Sequence, residues 1–166
     1  MIELYAKLKA KGIKEKLYII GEGPSREMLE EKIRELDLEQ DCLLLGKRLN
    51  PYPFMRKAKL FVHTSFFEGL PTVFIESMIC GTPVVAFDCP TGPREVLDNG
   101  KYGELIPMGD DDLFVEKTYE LLTNEDKRQA FIQKLPESYA RFSMRTIGRQ
   151  FFELIEDTIL FSKFDV

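Results

Sequence analysis

Apolar residues along this chain gather into short unbroken runs, separated by longer stretches in which they recur every third or fourth position. Leu17-Tyr-Ile-Ile20, Leu43-Leu-Leu45, Leu60-Phe-Val-His63, Val84-Val-Ala-Phe87 and Glu104-Leu-Ile106 read as five strands. Runs without polar alternation need apolar cover on both faces, which is the signature of a parallel sheet. The stretches between them read as helices. Ile2 to Ala10 forms the first and closes near Gly12. Met28, Leu29, Ile33 and Leu36 form the stripe of a second, with Pro24 at its first helical position. A helix near Phe54 to Ala58 follows the loop Asn50-Pro-Tyr-Pro53, another starts near Thr72, and another covers Asp112 to Leu122. The last long helix carries Ile147, Phe151, Ile155 and Ile159 on one face, and that stripe is expected to face the core. The alternation predicts an α/β domain of three layers, doubly wound, with ligands at the carboxyl ends of its strands.

Length and composition narrow this picture. A chain of 166 residues is one domain with room for a real core. A hydrophobic fraction of 44% beside 31% charged residues is that of a soluble globular protein. The net charge of −5 gives no pull toward nucleic acid or acidic lipid. The three cysteines, Cys42, Cys80 and Cys89, are odd in number and lie in apolar or loop contexts; they read as buried reduced thiols of a cytoplasmic protein. No CxxC or histidine pair suggests a metal, no apolar run is long enough to span a membrane, and the N-terminus does not read as a signal peptide.

Candidate chemistry concentrates in SFFEGLPTVFIESMICGTPVV, Ser65 to Val85. The chain leaves a strand end, bends through Glu68-Gly69 and starts a helix near Thr72. Unpaired N–H groups at a helix start hold phosphate. Gly69 lets backbone approach a ligand, Pro71 suits a helix start, and Thr72 can cap it. Helical side chains lean toward the N-terminus, so Glu76 can point back toward the pocket of Glu68. Ionised carboxylates only accept hydrogen bonds, and sugar and ribose hydroxyls donate them. A phosphate seat flanked by two hydroxyl readers suits a nucleotide sugar. A glutamate that merely opposes the helix dipole explains Glu76 as well.

Other residues have plainer readings beside the functional ones. His63, the sole histidine, can line the sugar pocket, but a packed strand-end histidine is the preferred reading. Asp110-Asp-Asp112 stands directly before a helix, where capping is favoured over metal binding. Arg94 and Glu95 fit a phosphate contact or a helix start equally, and Asn99-Gly100 reads as a turn.

The segment SFFEGLPTVFIESMICGTPVVAFD resembles the signature of the group 1 family of retaining glycosyltransferases, whose two Rossmann-like domains form the GT-B architecture. The family's C-terminal domain carries two glutamates separated by seven residues, as Glu68 and Glu76 are here. The resemblance extends to LYIIGEGPSREMLEEKI, to LLLGKRLNPYPFMRKAKLFVHTS and to CPTGPREVLDNGKYGELIP, the last similar to capsule-type polysaccharide transferases. It implies a Rossmann-like domain, residues 1–166, forming the C-terminal donor-binding half of a transferase that moves a sugar from a nucleotide diphosphate sugar to a glycan or lipid-linked hydroxyl.

The resemblance also implies roles. Glu68, the catalytic-site residue, would contact donor sugar hydroxyls, and Glu76 the ribose. Amides from Gly69 through Leu70 and Pro71 to Thr72 would line sugar and diphosphate. Gly21 and Gly23 would let their loop approach the donor, and Lys47 and Arg48 would border the base. The diphosphate itself assists the acceptor's attack in such enzymes, so neither an enzymic nucleophile nor a metal or other cofactor is expected. The family's domain opens with a strand ending in Gly-Arg and a loop with a lysine, which the resemblance places ahead of Ile2. The first, central strand and the acceptor domain are thus expected to lie outside this chain. The expected consequences are a slot between Leu17–Ile20 and Leu60–His63, and no transfer by the isolated chain. The complete enzyme would work in the cytoplasm, at the inner face of the membrane. Two other readings stay open: a noncatalytic nucleotide-binding or partner subunit of a two-chain transferase, and a hexosamine epimerase, against which the glutamate pair speaks.

Overall fold

A computed structural model describes residues 1–161. In chain order the elements are α1 (Ile2–Ala10), β1 (Leu17–Ile20), α2 (Arg26–Glu35), β2 (Cys42–Gly46), α3 (Tyr52–Lys57), β3 (Phe61–His63), α4 (Thr72–Ile79), β4 (Val84–Asp88), α5 (Pro93–Val96), β5 (Gly103–Pro107), α6 (Asp111–Thr123), α7 (Glu125–Ile132), α8 (Leu135–Ala140) and α9 (Met144–Phe161). Every strand pair is parallel. β1 pairs with β2, and β4 lies between β3 and β5.

Alternation along β4 explains the layering. Val84 and Ala86 face Phe74 and Met78 of α4, with Leu97, Tyr102 and Leu135, while Val85 and Phe87 face α1 and the Phe114–Val115 turn of α6. Residues Val84, Val85 and Ala86 are completely buried. Neighbouring strands follow the same period: Phe61 and Leu105 lie on the α4 side, and Val62 and Ile106 on the α1–α6 side. Cover on both faces therefore holds for β3–β5. In the two-stranded sheet Leu17, Ile19, Cys42 and Leu44 join the α1–α6 core, but Tyr18 on the other face is 49% exposed.

No backbone ladder joins β1 to β3 among the described residues, so the two sheets stay apart as the family spacing implies. They share one hydrophobic core beneath α1 and α6. The starts of the two strands are tied by an ion pair between Lys59 and Glu15, and Tyr5 Oη donates to the Glu15 carbonyl at 2.8 Å and to that of Asp41 at 3.1 Å.

Four local expectations need correction. Pro24 lies in the turn before α2, which begins at Arg26 behind Ser25, and Met28 of the expected stripe is 62% exposed. Thr72 is the first helical residue of α4 and not its cap; Pro71 occupies that place and offers no side-chain acceptor. Cys80 is only partly buried, unlike Cys42 and Cys89. The α9 stripe does not reach the core: Ile147, Phe151, Ile155 and Ile159 are 44%, 61%, 38% and 51% exposed. The faces of β3–β5 are already occupied by α1 and α6 on one side and α4 and α8 on the other, so no sheet face remains for α9. Helices α7 and α8 were not expected; α8 supplies Leu135 and Ser138 to the core, and α7 buries Arg128.

Phe74 is fully buried and meets the Phe61 ring edge-on with centroids 6.2 Å apart. Phe74→Ala is expected to lower the free energy of unfolding by about 3–5 kcal/mol in urea titrations, because the site is enclosed and cannot collapse. A loss below about 1 kcal/mol would mean that α4 does not seal this side of the sheet.

Candidate functional site

The site begins where β3 ends. Thr64 to Pro71 loop outward, with Phe66 and Phe67 80% and 74% exposed, and α4 then turns back over the sheet. The Glu68 carboxylate is held at its base. His63 Nε2 lies 3.2 Å from Glu68 Oε1, and Ser65 Oγ lies 3.3 Å from the same ring nitrogen. The imidazole packs edge-on against Phe74, with centroids 4.9 Å apart. Burial pushes its pKa below the ordinary value, and the Glu68 charge opposes that only in part. His63 is thus the packed strand-end histidine that the sequence suggested, and among the described residues it is the side chain that meets the Glu68 carboxylate. Its Nδ1 is buried and without a hydrogen bond.

Glu76 is partly buried in the second turn of α4, and its carboxylate has no hydrogen bond or ion pair among the described residues. The backbone between the two glutamates is divided. Thr72 N–H donates to the Leu70 carbonyl at 2.8 Å and Phe74 N–H to that of Pro71 at 2.9 Å. The amides of Gly69, Leu70 and Val73 make no hydrogen bond within the described chain. Of the expected donors from Gly69 to Thr72, then, Gly69 and Leu70 are free, Pro71 has no N–H, and Thr72 is engaged. Val73 is an addition that the sequence did not suggest.

The loops after β1 and β2 form a second group. Gly21 N–H donates to the Gly46 carbonyl at 3.1 Å, and the Glu22 carboxylate accepts from Lys47 N–H at 3.2 Å. A Cβ on Gly46 would sit 2.7 Å from Glu22 Oε1, so the glycine admits that carboxylate. Glu22 was not assigned from sequence, although its place between Gly21 and Gly23 marks the loop. Gly21 and Gly23 are exposed, as are Lys47 and Arg48, whose cationic ends have no ion-pair partner among the described residues. No hydrogen bond or ion pair among the described residues joins this group to the Glu68 loop.

Beyond β4, Arg94 pairs with Asp88 through Nε to Oδ1 at 3.3 Å and through a second guanidinium contact, which raises the pKa of the arginine further. It therefore closes its own strand end. A cavity of about 710 Å³ opens between this loop and Met108, with Thr91, Glu95 and Arg141 in its wall. Neither glutamate of the pair lines it. Asp110 caps α6 by accepting from Leu113 N–H at 3.0 Å, and Asp112 pairs with Lys7 at 2.9 Å, so the aspartate triplet serves the helix. Asp98, Asn99 and Gly100 all have positive φ in the expected turn.

Residues 1–137 match the family model described as Glycosyl transferases group 1. The chain is 34% identical over 149 residues to the N-acetylgalactosamine-N,N'-diacetylbacillosaminyl-diphospho-undecaprenol 4-alpha-N-acetylgalactosaminyltransferase of Campylobacter jejuni, covering 90% of this chain and 40% of that protein. It is 33% identical over 130 residues to the lipopolysaccharide 1,6-galactosyltransferase of Salmonella typhimurium, covering 76% of this chain and 36% of the relative. Among solved structures, a mutant of S. aureus TarM in complex with Fondaparinux, alpha-GlcNAc-glycerol and UDP superimposes with a TM-score of 0.85 at 30% identity. That match covers 92% of this chain and 31% of the TarM chain. The chain thus spans less than half the length of these relatives.

The lowered pKa of His63 has a testable sign. The unfolded chain takes up its imidazole proton near the ordinary value of about 6.5, before the folded chain does. The stability given by neutral His63 is therefore present above that pH and is lost as pH falls through it. Urea midpoints at about pH 8 and pH 5.5 should differ more for the wild type than for His63→Leu. Equal differences would show that the ring is not held neutral by burial.

Proposed function

The chain belongs to the group 1 family of glycosyl transferases, and on that premise we propose that it is the donor-binding half of a retaining transferase acting on a nucleotide diphosphate sugar. One observation carries this reading: two carboxylates with no cation beside them flank a turn whose Gly69 and Leu70 amides are unpaired. Carboxylates ask for hydroxyl donors and free amides ask for an anion, and a nucleotide sugar supplies both.

In this reading Glu68 accepts hydrogen bonds from hydroxyls of the transferred sugar, and His63, neutral and packed, steadies it. Glu76 accepts from the ribose. The amides of Gly69, Leu70 and Val73 face the diphosphate, and the loops at Gly21–Gly23 and Lys47–Arg48 border the base. In this reading no enzymic nucleophile takes part, and the diphosphate oxygen helps to deprotonate the incoming hydroxyl. The acceptor is a glycan or lipid-linked hydroxyl held by a second wall of the cleft. The diphospho-undecaprenol in the name of the C. jejuni relative supports a lipid-linked acceptor, and the UDP held by TarM supports a uridine nucleotide as the first donor to try. The working position is the cytoplasmic side of the membrane; among the described residues no helix is long and apolar enough to cross it.

Two measurements test the assignment. Titration with UDP and with GDP should shift the amide resonances of Gly69, Leu70 and Val73 together with those of Gly21 to Gly23. Shifts confined to other segments would overturn the reading. In calorimetry, Glu76→Gln should weaken nucleotide binding tenfold or more, since a hydrogen bond to a charged group contributes about 1.5–3 kcal/mol. Glu68→Gln should leave the bare nucleotide nearly unaffected and weaken only the sugar-bearing donor. Equal losses for both variants with both ligands would refute the division of labour.

A further inference from the structure

We propose that Thr91 and Gly92, in the loop after β4, are positioning residues that aim the Gly69 and Leu70 amides into the site, although neither need touch a ligand. The inference rests on the reading of that turn as a phosphate seat and adds the device that sets it.

Two contacts carry it. The Thr91 hydroxyl donates to the Glu68 carbonyl, with the Pro90 carbonyl also in its reach at 2.7 Å. The next carbonyl, that of Gly69, faces Gly92 so closely that a Cβ built on Gly92 would lie 2.1 Å from Gly69 O and 2.5 Å from Pro71 Cδ. A peptide unit is planar and trans, so its N–H points opposite to its C=O. Fixing the Glu68 carbonyl toward Thr91 directs Gly69 N–H away from that loop. Fixing the Gly69 carbonyl toward Gly92 directs Leu70 N–H away as well. Consecutive amides turned to one side make an anion-binding concavity. These are two of the amides that the chain leaves unpaired.

The loop holds this arrangement in an uncommon backbone. Thr91 has φ 63° and Gly92 has φ 76°. A β-branched residue at positive φ is an outlier, and such strain persists only where the surroundings enforce it. Gly92 is required twice, for its φ and for the absent Cβ. Thr91 contributes the hydroxyl that anchors the first carbonyl.

The test uses amide NMR on the chain with inorganic pyrophosphate, a probe that carries no base or sugar. Wild type should show pyrophosphate shifts centred on Gly69 and Leu70. Thr91→Val should move those two resonances in the ligand-free spectrum and weaken pyrophosphate about tenfold, the loss of one well-aimed charged contact. Its urea midpoint should stay near that of the wild type, and Thr91→Ser should restore the affinity. Gly92→Ala should do the same more strongly; if it does not fold, the Thr91 pair decides. Pyrophosphate shifts centred elsewhere, or unchanged Gly69 and Leu70 resonances with unchanged affinity in Thr91→Val, overturn the proposal. So does a Thr91→Ser variant that remains as weak as Thr91→Val. Pyrophosphate binding at Gly69 and Leu70 without any UDP or GDP binding there would instead sink the nucleotide-sugar reading and leave the positioning role standing.

Discussion

The burial of β4 on both faces is the constraint on which the rest of the structure depends. With Val84, Val85 and Ala86 shut off from water, every backbone group of the strand must be met by a neighbouring strand. β3 and β5 meet them in parallel register, Phe61 opposite Val84 and Gly103 on the other side. Gly103 belongs to the same constraint, since a Cβ there would lie 2.6 Å from the Val84 carbonyl. Once β4 is fixed, the ends of β3 and β4 are fixed beside each other. The loops that leave them then meet at Glu68, Gly69, Thr91 and Gly92.

The electrostatics of the site follow from what surrounds it. Many carboxylates elsewhere among the described residues pair with lysines or arginines, as Asp112 does with Lys7 at 2.9 Å and Asp41 with Lys9 at 3.1 Å. Glu68 and Glu76 have none, and the ring beside Glu68 is pushed toward its neutral form by burial. Two anions and free amides are thus displayed at one turn. The arrangement offers folding no pair with a lysine or arginine, although both carboxylates are partly buried. Its use lies in the hydrogen-bond donors and negative charge that a ligand would bring.

Much of this was legible in the sequence because strand runs and turn residues are local signals. All five strands lie where their apolar runs fall, and the helix after Gly-Leu-Pro starts at Thr72. The Asp110 cap and the Asn99 turn were readable from side-chain chemistry alone. What escaped depends on distant packing. His63 touches Glu68 because the loop folds back over its own strand, which no spacing reveals. The amides of Gly69 and Leu70 stay free while that of Thr72 does not, because of a tight turn at Pro71. The α9 stripe has the period of a buried face, but period does not say whether a face of the sheet remains for it. Short α7 and α8 lack the long periodic stripe by which a helix announces itself.

The gap between β1 and β3 bears on how the chain loses its structure. In an unbroken sheet, ladder bonds couple each strand to the next, so that opening one exposes another. Here no such bonds link the β1–β2 pair to β3–β5 among the described residues. Coupling passes through the side chains under α1 and α6 and through the contact of Lys59 with Glu15. Packing through one shared face couples more weakly than a continuous ladder, and β1–β2 has only that face, with Tyr18 open to water on the other. The chain is therefore built as two foldons of unequal strength: the two-stranded edge opens first, and its amides exchange with solvent at a lower free energy than those of β4.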